Sequence, residues 1–541
     1  MNTVPFSALY WKDKEKAKWG EEVNLGFIVL MIGVFMAALD NGIISAALTT
    51  INTSFEVSPT QGSWGITLYA LGMAVTTPIV GKLADRYGRK KLFLIEVAIF
   101  TIGSIAVALS PTFSFFLAAR LLQALGGGGI FIIASSHVLS TVAKERQGSM
   151  LGMLGGMNGI ASLLGPNIGS FLIDWTGNWH WLFLINAPIG IGLVILGITS
   201  LQETKGHQLS KIDFLGITLL SLSILSVMFA LNNLSTGNLL ESMLHLSVFG
   251  LLVLAVLLFA LLIWVEKRNE MGTEFDPILP YSLLKKPTFT LTMIMGLLTG
   301  TFIGSIIFIP SFAQQILGVS AAKSGYWMTP LALAAGIGAG GGGVLVDKRG
   351  AIPTLVLSGI ISIIGFIGLA FTDTKTMFIL FSTFAGIGFG FFLGAPLTVL
   401  TSNAAGEQKG SAIGTLSVAR QIGLTLSPTI FATFIQNGFG QLGRIIPEKL
   451  QVIGIDPTQI PTEFRGQMER LAGAEDLQTA VSIIPDPQIQ QALLEAFAEA
   501  AHAAYQPIYL FTAVAALLII VIVVAFQRRF KKDEEQEGTA A

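Results

Sequence analysis

The sequence contains no cysteine, which excludes a disulfide framework, a thiolate zinc site and a thiol nucleophile together. Charge is nearly as scarce. Charged residues make up 12% of the 541, about half the share found in soluble domains, and the mean hydropathy is +0.70. Such a chain has too few polar side chains to face water and requires a bilayer as its solvent. Histidine is limited to 5 residues, too few for a His-rich metal cluster, and no nucleophile-base constellation is visible; both facts argue against a membrane enzyme. Neither glycine run, 126–129 or 338–343, ends in the Gly-Lys-Ser/Thr of a phosphate-cradling loop, so ATP is not expected as an energy source. Both runs read as close helix contacts. A secretory leader is not expected either, because Lys12, Lys14, Lys16 and Lys18 precede an apolar stretch too long for a signal-peptide core, which should remain as the first span.

What the chain has in abundance is apolar sequence, 52% of all residues, and glycine, 60 residues, which lets helices approach closely in lipid. Apolar runs near the roughly 20 residues needed to cross a bilayer occur at 26–50, 62–83, 92–110, 113–141, 148–172, 181–201, 213–233 and 245–265. Others follow at 289–311, 323–346, 352–372, 377–400, 410–435 and 507–527, for about fourteen spans in all. Basic residues test this reading, since they collect on cytoplasmic connections. Connections after even-numbered spans carry Lys82, Arg86, Arg89, Lys90, Lys91, Lys144, Arg146, Lys205, Lys211, Lys267, Arg268, Lys285, Lys286, Lys348, Arg349 and Lys409. Short connections after odd-numbered spans carry only Lys323 and Lys375. Both termini are basic, with Arg528, Arg529, Lys531 and Lys532 near the end, so both are expected in the cytoplasm. The segment 436–506 is long enough to escape the charge rule and is expected outside; within it, Pro485 to Ala504 reads as an amphipathic helix with Leu493, Leu494, Phe497 and Ala501 on one face, packed on the bundle mouth or lying on the lipid surface.

After the second span comes Gly81-Lys-Leu-Ala-Asp85-Arg86-Tyr-Gly88-Arg89-Lys90-Lys91, a tight basic turn in which Asp85 can pair with the arginines while facing a neighbouring helix N-terminus. It resembles the signature cytoplasmic loop of the major facilitator superfamily. Gly343-Val-Leu-Val-Asp347-Lys348-Arg349-Gly350, after the tenth span, is a weaker echo, and two such loops eight spans apart suggest a duplicated six-helix unit with two helices inserted between the copies. Arg120-Leu-Leu-Gln123-Ala-Leu-Gly126 resembles the fourth-span motif of that superfamily, and Ala161-Ser-Leu-Leu-Gly165-Pro166-Asn-Ile-Gly169-Ser170 resembles its antiporter motif, with Ala161 and Ser170 where glycine is usual. With Leu39-Asp40, Trp64 to Tyr69 and Trp179 to Pro188, the likeness is to the fourteen-helix multidrug:proton antiporters.

That resemblance implies an all-α polytopic fold of two six-helix bundles plus two inserted helices. The parts are a cytoplasmic segment 1–25, a bundle at 26–201, inserted helices at 213–265, a second bundle at 289–527 and a cytoplasmic tail at 528–541. It also implies export of small amphipathic or lipophilic, often cationic, compounds by alternating access, driven by protons without any cofactor. The cell membrane of a bacterium and a monomer are expected; partners are lipid, protons and a small-molecule substrate, not nucleic acid. The rival readings are a selective exporter of a lipid, peptide or signalling metabolite, and a receptor or scaffold that has lost transport.

A charge at mid-bilayer costs about 2.5–3.5 kcal/mol on insertion scales, so each needs a reason. Asp40 lies near the middle of the first span and is either a proton carrier or half of a structural salt bridge. The resemblance places the first and fourth spans on one central cavity, making Arg120 the natural partner and Gln123, a helical turn on, part of the same polar patch. Arg420 resembles a recurring arginine of the C-terminal half and would contact substrate, an acid or helix carbonyls. Trp64 and Tyr69, with Phe391 and Phe392, are candidate cavity aromatics or lipid-facing rings. Gly165, Pro166 and Gly169 form a kink with a hinge or packing role. Glu96 is expected to snorkel or pair to the basic loop, with proton transfer as the alternative; Glu203 is expected to latch that loop, His137 to pack, and Glu407 to be solvated. The retained Asp40 and Arg120 argue against the scaffold reading. The topology has a direct test: reporters at Arg470 and at the C-terminus should label from opposite sides of the membrane in intact cells, and labelling from one side overturns the fourteen-span arrangement.

Overall fold

A computed structural model of the chain describes residues 6–204, 211–234, 239–272, 275–319, 324–406, 408–453 and 487–532. Lys205, Lys323, Glu407, Pro485, Arg470 and the extreme termini lie outside the described residues, as does much of 436–506.

An apolar chain in lipid must satisfy each backbone N–H and C=O within its own segment, so helices dominate. The first half contains α1 (Phe6–Ser54), α2 (Pro59–Gly62), α3 (Trp64–Tyr87), α4 (Arg89–Ala108), α5 (Phe113–Gly127), α6 (Ile130–Thr141), α7 (Lys144–Thr176), α8 (Trp181–Leu184) and α9 (Asn186–Ser200). Next come β1 (Lys211–Ile212), α10 (Phe214–Asn232), α11 (Leu239–Leu244), α12 (Leu246–Met271), β2 (Phe275–Asp276) and α13 (Tyr281–Leu284). The second half contains α14 (Pro287–Ile306), α15 (Ile309–Gln315), a 3-10 turn at Gly325–Met328, α16 (Thr329–Arg349), α17 (Ala351–Ala370), α18 (Lys375–Leu393) and α19 (Ala395–Ala405). It closes with α20 (Lys409–Gly440), α21 (Leu442–Val452) and α22 (Pro487–Ala525).

Thirteen stretches among the described residues are long and apolar enough to cross a membrane, several formed by two consecutive helices such as α5 and α6. The expected fifth span, α7, is a helix of 33 residues that is not among them. Its small and polar residues follow from its place between other helices. A Cβ on Gly152 would lie 2.4 Å from the Ala339 carbonyl oxygen, and one on Gly165 2.5 Å from the Gly42 Cα, so α7 touches both α16 and α1 backbone to backbone. The helix runs unbroken through Pro166, and Gly169 is buried. The glycine runs are helix contacts as expected: a Cβ on Gly126 would meet the Phe100 nitrogen at 2.2 Å and one on Gly338 the Ile387 carbonyl at 2.3 Å.

The two halves meet through two matching crossings, in which the second span of each half packs on the fifth of the other: α3 on α20, and α16 on α7. Each crossing is tightened by glycine, with a Gly81 Cβ 2.4 Å from the Gly410 carbonyl and a Gly343 Cβ 2.3 Å from that of Gly148. Each is also locked by an aspartate. Asp85 Oδ2 accepts the N–H groups of Gly410 (2.9 Å) and Ser411 (3.3 Å) in the first turn of α20, while its Oδ1 takes Arg89 Nη2 at 2.6 Å. Asp347 accepts the N–H groups of Gly148 (2.6 Å) and Ser149 (2.8 Å) on α7, together with the Ser149 hydroxyl. A carboxylate at a helix N-terminus satisfies orphan donors and complements the helix dipole. The turn behind Asp85 is made by Gly88 alone, at φ +107°. Glu203 latches the following helix as expected, accepting the N–H groups of Lys90 and Lys91 at 3.2 Å each.

The inserted pair, α10 and α12, pack on each other, and α10 reaches α3 and α20. Their entry and exit strands β1 and β2 pair in parallel. Asp276 in β2 meets Lys82 Nζ at 2.7 Å and Arg86 Nη1 at 3.9 Å, and the Ser411 hydroxyl donates to the Ile278 carbonyl at 2.7 Å. The exit linker therefore touches both halves where Asp85 closes them. Buried Glu266 on α12 holds that linker by accepting the N–H groups of Ile278 (3.1 Å) and Leu279 (3.2 Å).

At the opposite end, the expected amphipathic helix is not separate from the last span: α22 is one helix of 39 residues with Pro507 inside it. Its first part buries Leu493 and Phe497 against Ile445, Ile446 and Leu450 of α21, whereas Leu494 stays 38% exposed. Asp85→Asn removes charge-assisted bonds worth about 1.5–3 kcal/mol each and should favour the opened end about tenfold or more. With no native cysteine, spin labels at Glu145→Cys and Arg349→Cys report that separation; transport should slow while equilibrium substrate binding is kept, and a selective loss of affinity with normal turnover would place the loop in the substrate site instead.

Candidate proton and substrate site

Asp40 and Arg120 are each 1% exposed and form an ion pair, Arg120 Nη1 to Asp40 Oδ2 at 2.8 Å. Gln123, one turn along α5 from Arg120, donates from Nε2 to Asp40 Oδ1 at 2.8 Å and to Ser104 Oγ at 2.6 Å, and its Oε1 accepts from Arg120 Nη1 at 2.6 Å. Asn186 adds longer bonds from Nδ2 to Asp40 Oδ1 (3.4 Å) and Ser104 Oγ (3.3 Å). The guanidinium also donates from Nε to the Gly65 carbonyl at 3.4 Å and lies over the Tyr69 ring at 4.1 Å and the Phe183 ring at 5.5 Å. Five spans thus contribute to one cluster around this ion pair, two of them bonding the carboxylate directly. Both charges are paired and hydrogen-bonded, the condition under which a buried ion pair is tolerated; deleting one member of such a pair costs about 3–5 kcal/mol.

Asp40, Arg120 and Gln123, which the sequence placed in one polar patch, are in contact; Tyr69, read as a cavity or lipid-facing ring, is buried under the Arg120 guanidinium. Ser104 and Asn186 were not singled out. Asn186 opens α9 just past the break at Ile185 in the sixth span, and a polar amide in an apolar span was the signal that marked it. Trp64 is not in this cluster: it is 37% exposed and its ring sits 6.0 Å from Phe229 of α10. Phe392 is fully buried and belongs to a ring cluster with Phe302, 5.2 Å away, which is core packing.

Glu96 does not pair with the basic loop. It is 4% exposed and accepts the Gly129 N–H at 3.2 Å, where the fourth span breaks between α5 and α6. The break frees backbone donors, and the carboxylate takes one of them. His137 is buried among packing residues as expected, beside Phe27 and Leu30. Arg420, on α20, shares no hydrogen bond or ion pair with the Asp40 cluster among the described residues. Its Nε and Nη2 are buried with no hydrogen-bond partner.

The family model described as the Major Facilitator Superfamily matches residues 30–428. The chain is 55% identical to the uncharacterized MFS-type transporter YfiU of Bacillus subtilis (strain 168), over 90% of this chain and 93% of that one. It is 32% identical to Multidrug resistance protein 3 of the same organism, over 77% and 81%. In fold it is similar to a bacterial homologue of the human lysosomal transporter Spinster, with a TM-score of 0.53 at 19% identity, covering 95% of this chain and 98% of that one. The paired crossings, the two aspartate-locked turns and a family match spanning most of the sequence lead to one assignment: the chain belongs to the major facilitator superfamily and is a multi-pass membrane transporter.

Proposed function

We propose that this transporter is a proton-driven antiporter that exports small amphipathic compounds across a bacterial cell membrane by alternating access, with Asp40 as the proton site and Arg120 as its fixed counter-charge. The observation that carries the reading is the buried Asp40–Arg120 ion pair at 2.8 Å inside a hydrogen-bonded cluster drawn from five spans. Arginine is the fixed charge of such a pair, so the exchanged proton is assigned to the acid. Protonating Asp40 turns a neutral pair into a lone buried guanidinium, a state that low-dielectric surroundings disfavour. The arginine must then find another partner or meet water, and either outcome loosens α1 from α5. Proton binding is thereby tied to rearrangement of the first half, which an obligatory exchanger needs. Similarity to Multidrug resistance protein 3 supports an efflux role. The charge distribution of the described loops supports the placement of both termini, and of the two aspartate locks, on the cytoplasmic side.

Asp40→Asn tests the coupling. The amide keeps the size of the side chain and cannot carry a proton, so uphill transport driven by a pH gradient should fall about tenfold or more while downhill exchange persists. The measurement follows internal pH and a fluorescent amphipathic compound together in proteoliposomes. Uphill transport at the wild-type level, with ordinary proton movement, would transfer the carrier role to Glu96, the other buried acid of the first half. Arg120→Ala should lower both modes of transport, because it leaves Asp40 without its cation.

A further inference from the structure

Arg420 is the unbalanced charge of the second half. Among the described residues, no aspartate or glutamate lies within the spans of α14 to α20 except Asp347, which is engaged at the end of α16. The first half is neutral at its centre because Asp40 matches Arg120. Arg420 has no such match, and its Nε and Nη2 are buried without a protein acceptor.

The geometry of α20 shows which way this side chain is presented. Val418 and Ile422 pack into the cluster that joins α20 to α3 and α10. Ala419 and Gly423 meet α14, where Ala419 Cβ would lie 3.3 Å from a Cβ on Gly296 and a Cβ on Gly423 would press on the Leu297 carbonyl. Helical spacing puts Arg420 on a third face with Ser417, Gln421 and Leu424, and all four are half-buried. A Cβ on Gly300 of α14 would also meet the Arg420 carbonyl and the Leu424 nitrogen, so Arg420 borders the α14 face, with a hydroxyl residue one turn before it and an amide residue directly after it in sequence. A permanently charged fork with spare donors in a dry setting is suited to an oxyanion, which it binds by two parallel charge-assisted bonds.

We infer that Arg420 is an anion-binding residue of the transport cavity and that the exported compounds carry a carboxylate or a similar oxyanion on an apolar body. This rests on the transport reading above but not on proton coupling. Such a substrate neutralises Arg420 on binding, whereas a simple lipophilic cation would enter an interior that already carries an unmatched positive charge.

The test uses the full-length protein in proteoliposomes and three matched probes: a naphthyl carboxylate, its primary amide and a naphthyl trimethylammonium. The wild type should bind and transport the carboxylate about tenfold better than the amide. Arg420→Gln should remove that preference, and Arg420→Lys should retain part of it, because the charge remains without the fork; retention by the lysine variant also shows that the site is folded. A carboxylate no better than the amide in the wild type, or an unchanged preference in Arg420→Gln, overturns the inference. Liposomes of phosphatidylcholine alone are compared with liposomes containing phosphatidylglycerol: loss of carboxylate binding in the second set assigns the anion site to a lipid headgroup and overturns the claim about substrate. Asp40→Asn, run in parallel, should keep the carboxylate preference while losing uphill transport. If it keeps uphill transport as well, proton coupling through Asp40 fails and the Arg420 assignment stands.

Discussion

Closure of this molecule depends on two carboxylates that reach across the seam between its halves. Asp85 holds the first turn of α20 and Asp347 holds the start of α7, each beside a glycine contact that brings the backbones together. Remove the glycines and the helices stand too far apart for the bonds; remove Asp85 and the orphan N–H groups of Gly410 and Ser411 at the start of α20 lose their acceptor. The remaining architecture follows from this pairing. Because each half contributes its second and its fifth span, the two locks are related by pseudo-symmetry, and the halves can rock about one seam rather than slide.

The same helix that ends in Asp85 begins beside the buried ion pair. Gly65 accepts from Arg120, and Tyr69 carries the guanidinium on its ring, while Asp85 lies twenty residues beyond Gly65, about 30 Å along a helix of 1.5 Å rise. In the proposed exchange, a rearrangement of Arg120 acts directly on the start of α3, because Gly65 and Tyr69 hold the guanidinium there. One secondary element with two points of attachment thus connects the buried ion pair to the Asp85 lock.

Much of this was legible in the sequence, for identifiable reasons. The alternation of basic loops and the Asp85 and Asp347 motifs are local patterns, so the duplicated plan and the two turns could be read without structure. Asp40, Arg120 and Gln123 stand out because charge and amide are rare in apolar runs. What was not legible depends on rotation of one helix against another. Glu96 is close in sequence to Lys91 yet turns toward the break at Gly129, and Trp64 turns outward to α10 while Tyr69, five residues on, turns inward. The span at 148–172 was legible as an apolar run, but the burial of α7 between α1 and α16 was not, because that depends on glycine contacts with helices distant in sequence. The fusion of the amphipathic stretch with the last span into α22 could not be read because Pro507 suggests an interruption that the helix accommodates.

The inserted helices carry a further implication. Their exit linker places Asp276 against Lys82 and Arg86 and the Ile278 carbonyl against Ser411, so it spans the seam that Asp85 closes. The pair is thus not a passenger between two finished halves. As a structural unit, the inserted segment ends after Leu279 rather than at the end of α12, because its last few residues form part of the seam that Asp85 closes.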